Sequence, residues 1–130
     1  MKPVVLINES YMYMDKQNTT TLERVVDMDY QEIILKIIVN GGDARSHAME
    51  AIQFAKIGKI AEAREALIKA NDNLGEAHKV QTHLIQEEAG GRSMEVTLLM
   101  VHAQDHLMNA ITIKDMAQEF VDMYEKFLKQ

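Results

Sequence analysis

Two of the five histidines, His102 and His106, stand four residues apart in the string Leu99-Met100-Val101-His102-Ala103-Gln104-Asp105-His106-Leu107-Met108. On a helix that spacing puts both imidazoles on one side. Three chemistries use such a pair. A zinc protease needs a Glu directly after the first His as its general base, and Ala103 holds that place, so this reading fails on its catalytic residue. A structural metal cluster could take His102, Asp105 and His106, but a closed site needs further ligands from other helices. His47, His78 and His83 would supply them only by coincidence. A phosphoryl acceptor needs a single neutral imidazole, which is a good nucleophile near pH 7 and forms a phosphoramidate that passes the group on. The plain alternative is two half-buried polar residues satisfied by their neighbours.

These side chains need a rigid helix to hold them, and the apolar pattern supplies three. From Tyr30 the stripe reads Tyr30, Ile34, Ile37, Gly41, Ala44, Ala48, Ala51, Ala55, with nothing charged on it. Gly41 and Gly42 therefore fall inside one long helix, at a close backbone approach. After Gly58, a helix C-cap, the second stripe is Ile60, Ala63, Leu67, Ala70, Leu74, Ala77, Gln81, Leu84. Gln81 stands where an apolar residue is expected, and a buried amide there needs a partner, from His78 or the third helix. Residues 88–93 read as a turn with Ser93 as N-cap and Val96 opening the next periodic segment. The third stripe is Val96, Leu99, Ala103, His106, Ala110, Ile113, Ala117, Phe120, Tyr124, Phe127. Three long helices with short connections predict an all-α, antiparallel up-down-up bundle over residues 30–130. Residues 1–29 lack a clear period and are expected to form an N-terminal arm, flexible or loosely packed.

Composition agrees with one small helical domain. The chain has 130 residues, 47% of them apolar but only 5% aromatic, so Ala, aliphatic residues and ten Met must fill the core. A net charge of -6 disfavours electrostatic nucleic-acid binding. With no Cys, thiolate metal sites and Cys nucleophiles are excluded. No stretch approaches the roughly 20 apolar residues of a membrane span, and the opening run is too short for a signal-peptide core. A cytoplasmic protein without membrane insertion is the expectation.

The third helix carries a second apolar face. With Ala103 at zero, Leu98, Val101, Asp105, Met108 and Thr112 fall between about 140° and 220°. A lone three-helix subunit would expose that face, which predicts an oligomer whose axis runs along it. His102, near about 260°, would then lie in a groove where subunits meet, with His106 nearer the core seam. Symmetry would bring copies of Asp105 together, and buried like charges need shared protons or a hard cation such as Mg²⁺.

The string His102-Ala103-Gln104-Asp105-His106-Leu107-Met108 resembles the active-site motif of the lactose/cellobiose IIA proteins of the bacterial phosphoenolpyruvate-dependent sugar phosphotransferase system. Gly42-Asp43-Ala44-Arg45-Ser46 resembles the same family, as do Glu76-Ala77-His78, Gln81-Thr82 and Glu88-Ala89-Gly90. The resemblance runs in order from about residue 30 to 128. It implies a three-helix homotrimer and a transferase component that receives a phosphoryl group from the phosphocarrier protein HPr and gives it to a cysteine of the IIB component. It further implies His102 as acceptor, Gln104 and His106 as supporting residues, and Asp105 meeting its symmetry mates at Mg²⁺ or another divalent cation on the threefold axis. Ala103 resembles the chitobiose and cellobiose branch more than the lactose one, where Gly is usual. Arg45 could contact a phosphoryl group or pair with an acid on the next helix, and the ion pair is the expectation; His83, with no motif role, is expected to be a surface residue. The rival reading is a non-enzymatic helical module that trimerises through helix three and uses Asp105 only to hold a structural metal.

Overall fold

The computed structural model describes residues 29–130, and the arm expected over residues 1–29 lies outside it except for Asp29. The described residues form three helices and no strand: α1 Tyr30–Lys56, α2 Ile60–Ala89 and α3 Leu98–Leu128. The connections are short, so neighbours run antiparallel and α1 and α3 run parallel. Gly58 and Gly91 end α1 and α2 with φ of 80° and 86°, the left-handed conformation that a side chain disfavours. Just beyond the second, Arg92 forks onto the Glu87 carboxylate and holds it below its usual range, locking the turn.

The α1 stripe is the buried face as expected: Ile34, Ile37, Gly41, Ala44, Ala48, Ala51 and Ala55 are all buried, joined by Ile33. Gly41 and Gly42 are interior to the helix and do not end it. Around α1 the core divides in two. One end packs larger side chains, among them Ile34, Ile37, Leu74, Val80 and Leu107. The other is lined with alanines from all three helices, including Ala51, Ala63, Ala70 and Ala117, around Leu67 and Val121. Small residues let the backbones approach at that end, and close packing follows without aromatic bulk. No polar or charged residue is buried among the described residues.

Two registers differ from expectation. Helix α3 begins at Leu98, not Val96, and its N-cap is Thr97, not Ser93: the Thr97 hydroxyl accepts from the Met100 N–H at 3.1 Å. The buried face of α3 is Met100, Ala103, Leu107, Ala110, Ala117 and Val121. The alanines lie on the expected stripe, but Leu99, His106 and Phe120 stand outside the core. Because α3 rests on α1 and α2 at once, its buried face turns by about 40° toward α2. On α2 the same rotation buries Val80 and leaves Gln81 and Leu84 at the edge.

At the alanine-rich end Arg64 of α2 reaches Asp122 and Glu125 of α3, one turn apart. The hydrogen bond from Arg64, reinforced by Lys129, holds the Glu125 carboxyl below its ordinary value. A group depressed in the folded state stabilises fully above its unfolded pKa and loses that contribution as pH falls through the folded one. Arg64→Ala is therefore expected to lower the thermal midpoint by a few degrees near neutrality, and by progressively less at an acidic pH below the ordinary carboxylate range, as Glu125 takes up its proton. Thermal unfolding of both proteins at the two pH values checks this. An equal difference at both would mean that the ion pairs are not its source.

Candidate functional site

Helix α3 brings His102 and His106 together. Their rings stack with centroids 5.8 Å apart and planes inclined by 24°. His102 is exposed, while His106 is half-buried against α1, where a Cβ on Gly41 would come within 3.3 Å of its Cδ2 atom. The close backbone approach expected at the glycine pair is real, and its occupant is His106. The signal in the sequence is two adjacent glycines inside an apolar stripe, but naming the facing residue takes the register between α1 and α3.

Gln104 lies apart from the histidines within the subunit, on the opposite flank of α3. Its side-chain carbonyl accepts a hydrogen bond of 2.6 Å from the Gln81 amide of α2. Its own NH₂ faces the Met100 sulfur at 3.6 Å. The partner required by Gln81 therefore comes from the third helix and not from His78. Next to this pair a groove of about 520 Å³ runs between the end of α2 and the start of α3, with Leu84, Ile85, Met94, Val96 and Met108 among its walls.

Between the two flanks lies the second apolar face. Leu98 is 85% exposed, Val101 50% and Met108 52%, with the exposed carboxylate of Asp105 among them. Among the described residues, no three His, Cys, Asp or Glu side chains of the chain come together to hold a metal ion. One chain thus offers a cation a single hard oxygen group at Asp105, and a site there needs the same group from other copies.

Lys36 of α1 points to Glu76 of α2 at 3.9 Å, and Glu76 also holds Lys79 at 3.1 Å. Arg45 makes no ion pair among the described residues, contrary to the pairing expected for it. It is exposed one turn beyond Gly41-Gly42, on the side away from His102. The direction follows from the register: the Tyr30 hydroxyl at the start of α1 donates to the Glu95 carbonyl before α3, and Gly41 faces Leu107. The other histidines stay outside the site. His47 sits 3.4 Å from Glu50, His78 is exposed, and His83 is half-buried near Glu87.

No described helix is long and apolar enough to cross a membrane. The sequence matches the family described as "PTS system, Lactose/Cellobiose specific IIA subunit" over residues 32–125. The lichenan-specific phosphotransferase enzyme IIA component of Bacillus subtilis is 57% identical over 102 residues, spanning 78% of this chain and 93% of the relative. Among solved structures, the PTS cellobiose-specific enzyme IIA from Bacillus anthracis superposes with a TM-score of 0.74 at 50% identity, covering 89% of this chain and 99% of that one. The chitobiose IIA of Escherichia coli, solved in complex with HPr, does so with a TM-score of 0.68 at 39% identity, covering 79% and 99%. With the stacked histidine pair, the all-α bundle and these likenesses in agreement, the chain belongs to the lactose/cellobiose-specific IIA family of the sugar phosphotransferase system.

Proposed function

We propose that this protein is a cytoplasmic, homotrimeric phosphocarrier that takes a phosphoryl group from HPr on His102 and passes it to a cysteine of the IIB component of a disaccharide transport system. The observation that carries this reading is an exposed imidazole stacked on a half-buried one, at the edge of an unpartnered apolar face, in a chain of the IIA family. The complex of the chitobiose relative with HPr supports the donor.

In the first step a ring nitrogen of His102 attacks the phosphorus carried by the HPr histidine. One N–P bond forms, another breaks, and the electron pair of the broken bond returns to the HPr imidazole. In the second, the IIB thiolate attacks the same phosphorus, forming S–P and freeing His102. His106, held against α1, orients the reacting ring and can donate to the arriving phosphoryl oxygens.

The trimer accounts for Gln104. With the exposed face of α3 centred near about 180°, His102 at about 260° and Gln104 at about 100° flank it on opposite sides. In a closed ring of three, the His102 flank of one copy meets the Gln104 flank of the next. Gln104, oriented by Gln81, then serves the neighbour's acceptor and not its own. The three Asp105 carboxylates converge on the axis, where their hard oxygens suit Mg²⁺ or another divalent cation as a structural clamp.

Incubation with phosphoenolpyruvate and the general phosphotransferase proteins should load one acid-labile phosphoryl group per chain. A protein that stays unlabelled when HPr is phosphorylated overturns the reading, and leaves the rival in which α3 and Asp105 serve assembly alone. Salt gives a second check. From Val96 to Gln104 there is no Lys, Arg, Asp or Glu, so the α3 side of the acceptor's rim is apolar. The rate of loading from HPr should then change by less than about tenfold between low and physiological ionic strength. A fall of several orders of magnitude would show that charge steering dominates.

A further inference from the structure

Two consecutive glycines in the middle of a 27-residue helix weaken it and call for a reason. Backbone conformation is not the reason, since Gly58 and Gly91 are the glycines with positive φ among the described residues and Gly41 and Gly42 are not. Room is. A Cβ on Gly42 would stand 3.2 Å from Nε2 of His106, and one on Gly41 3.3 Å from Cδ2 of the same ring. Those atoms are bonded to each other, so one edge of the imidazole rests on bare backbone. Its stacking partner is His102, at 5.8 Å between centroids. His106 is thus bounded by α1 at its edge and by the acceptor ring, and a methyl group on α1 has only the ring to displace.

The two positions are not equivalent. At Gly41 the added atom would also meet the α3 backbone, 3.6 Å from Leu107 Cα. At Gly42 the His106 nitrogen is the one atom within 4 Å outside the helix's own turn. We propose that Gly42 is a positioning residue for phosphoryl transfer: by lacking a side chain it lets His106 lie back on α1 and stack on His102, which holds His102 in its reactive orientation with its open side toward the donor. This rests on His102 being the acceptor, and the test separates the two.

Gly42→Ala is the clean probe, because the ring must yield by a few tenths of an ångström while the helix gains a better helix former. The thermal midpoint should stay or rise, and the rate of loading from phosphorylated HPr should fall about tenfold. A glycine with a purely structural role would move the two together. The slowing must also act through His106, so adding Gly42→Ala to His106→Ala should change the rate no further. Should Gly42→Ala lower the midpoint because the ring cannot yield, combining it with His106→Ala should restore it. Loading at the parent rate, equal slowing with and without His106, or a lowered midpoint that the double variant does not restore would each overturn the proposal. An unchanged loading of His102→Ala would instead remove the acceptor, and nuclear Overhauser contacts between the methyl group introduced by Gly42→Ala and the His106 ring would still report whether the glycine seats that ring.

Discussion

His102→Ala is expected to abolish phosphoryl acceptance, a loss of many orders of magnitude, while the chain keeps its helical content, its assembly and its thermal midpoint. Both halves follow from where the ring lies. It is exposed and stacks on His106, so removing it opens no cavity in the core, and exposed substitutions of this kind change stability by no more than about 0.5 kcal/mol. It also supplies the attacking electron pair, and Ala offers no substitute. His106→Ala should behave differently. The ring it removes orients the acceptor, and losing an orienting neighbour typically slows a reaction by about 10–100-fold without stopping it. Labelling from phosphoenolpyruvate through HPr separates the two variants. Full labelling of His102→Ala would move the acceptor to His106.

The second large effect is on assembly. Asp105→Leu should keep or strengthen the trimer and make it wholly independent of divalent metal. In the proposed ring, three carboxylates meet on the axis beside Leu98, Val101 and Met108, and they oppose assembly unless a cation neutralises them. A Leu side chain there extends the apolar face and removes the cost. Sedimentation with and without a chelator should give one oligomeric size for the variant and two for the parent. A monomeric Leu variant would make Asp105 an essential positive contact, contrary to this account.

The parts legible from sequence are those where a helix carries a single apolar stripe. Helix α1 sits between the other two with a single apolar stripe, and stepping from Tyr30 finds its buried residues almost without error, including the passage through Gly41-Gly42. Helix α3 has apolar residues on more than one side, so periodicity alone cannot place its core face to better than about half a turn's width. That is why stepping by threes and fours sets His106 on the core stripe when Leu107 holds the place. The helix start shifts because Ser93 and Thr97 are both capable caps, and the chain stays non-helical through Thr97, whose hydroxyl takes the Met100 N–H. At the site, the pairing of His102 with His106 follows from spacing within one helix. The seat at Gly42 and the Gln81–Gln104 bond depend on register between helices, which no single helix's sequence encodes. Arg45 shows the same limit: its charge is plain in the sequence, but no described acid lies where it could pair.

The most direct test of the acceptor is the position of the phosphoryl group itself. The parent protein, loaded through HPr and digested under alkaline conditions that preserve phosphoramidates, should carry the group on His102, and brief acid treatment should remove it. The modification on His106, or an acid-stable one elsewhere in the chain, would contradict the account.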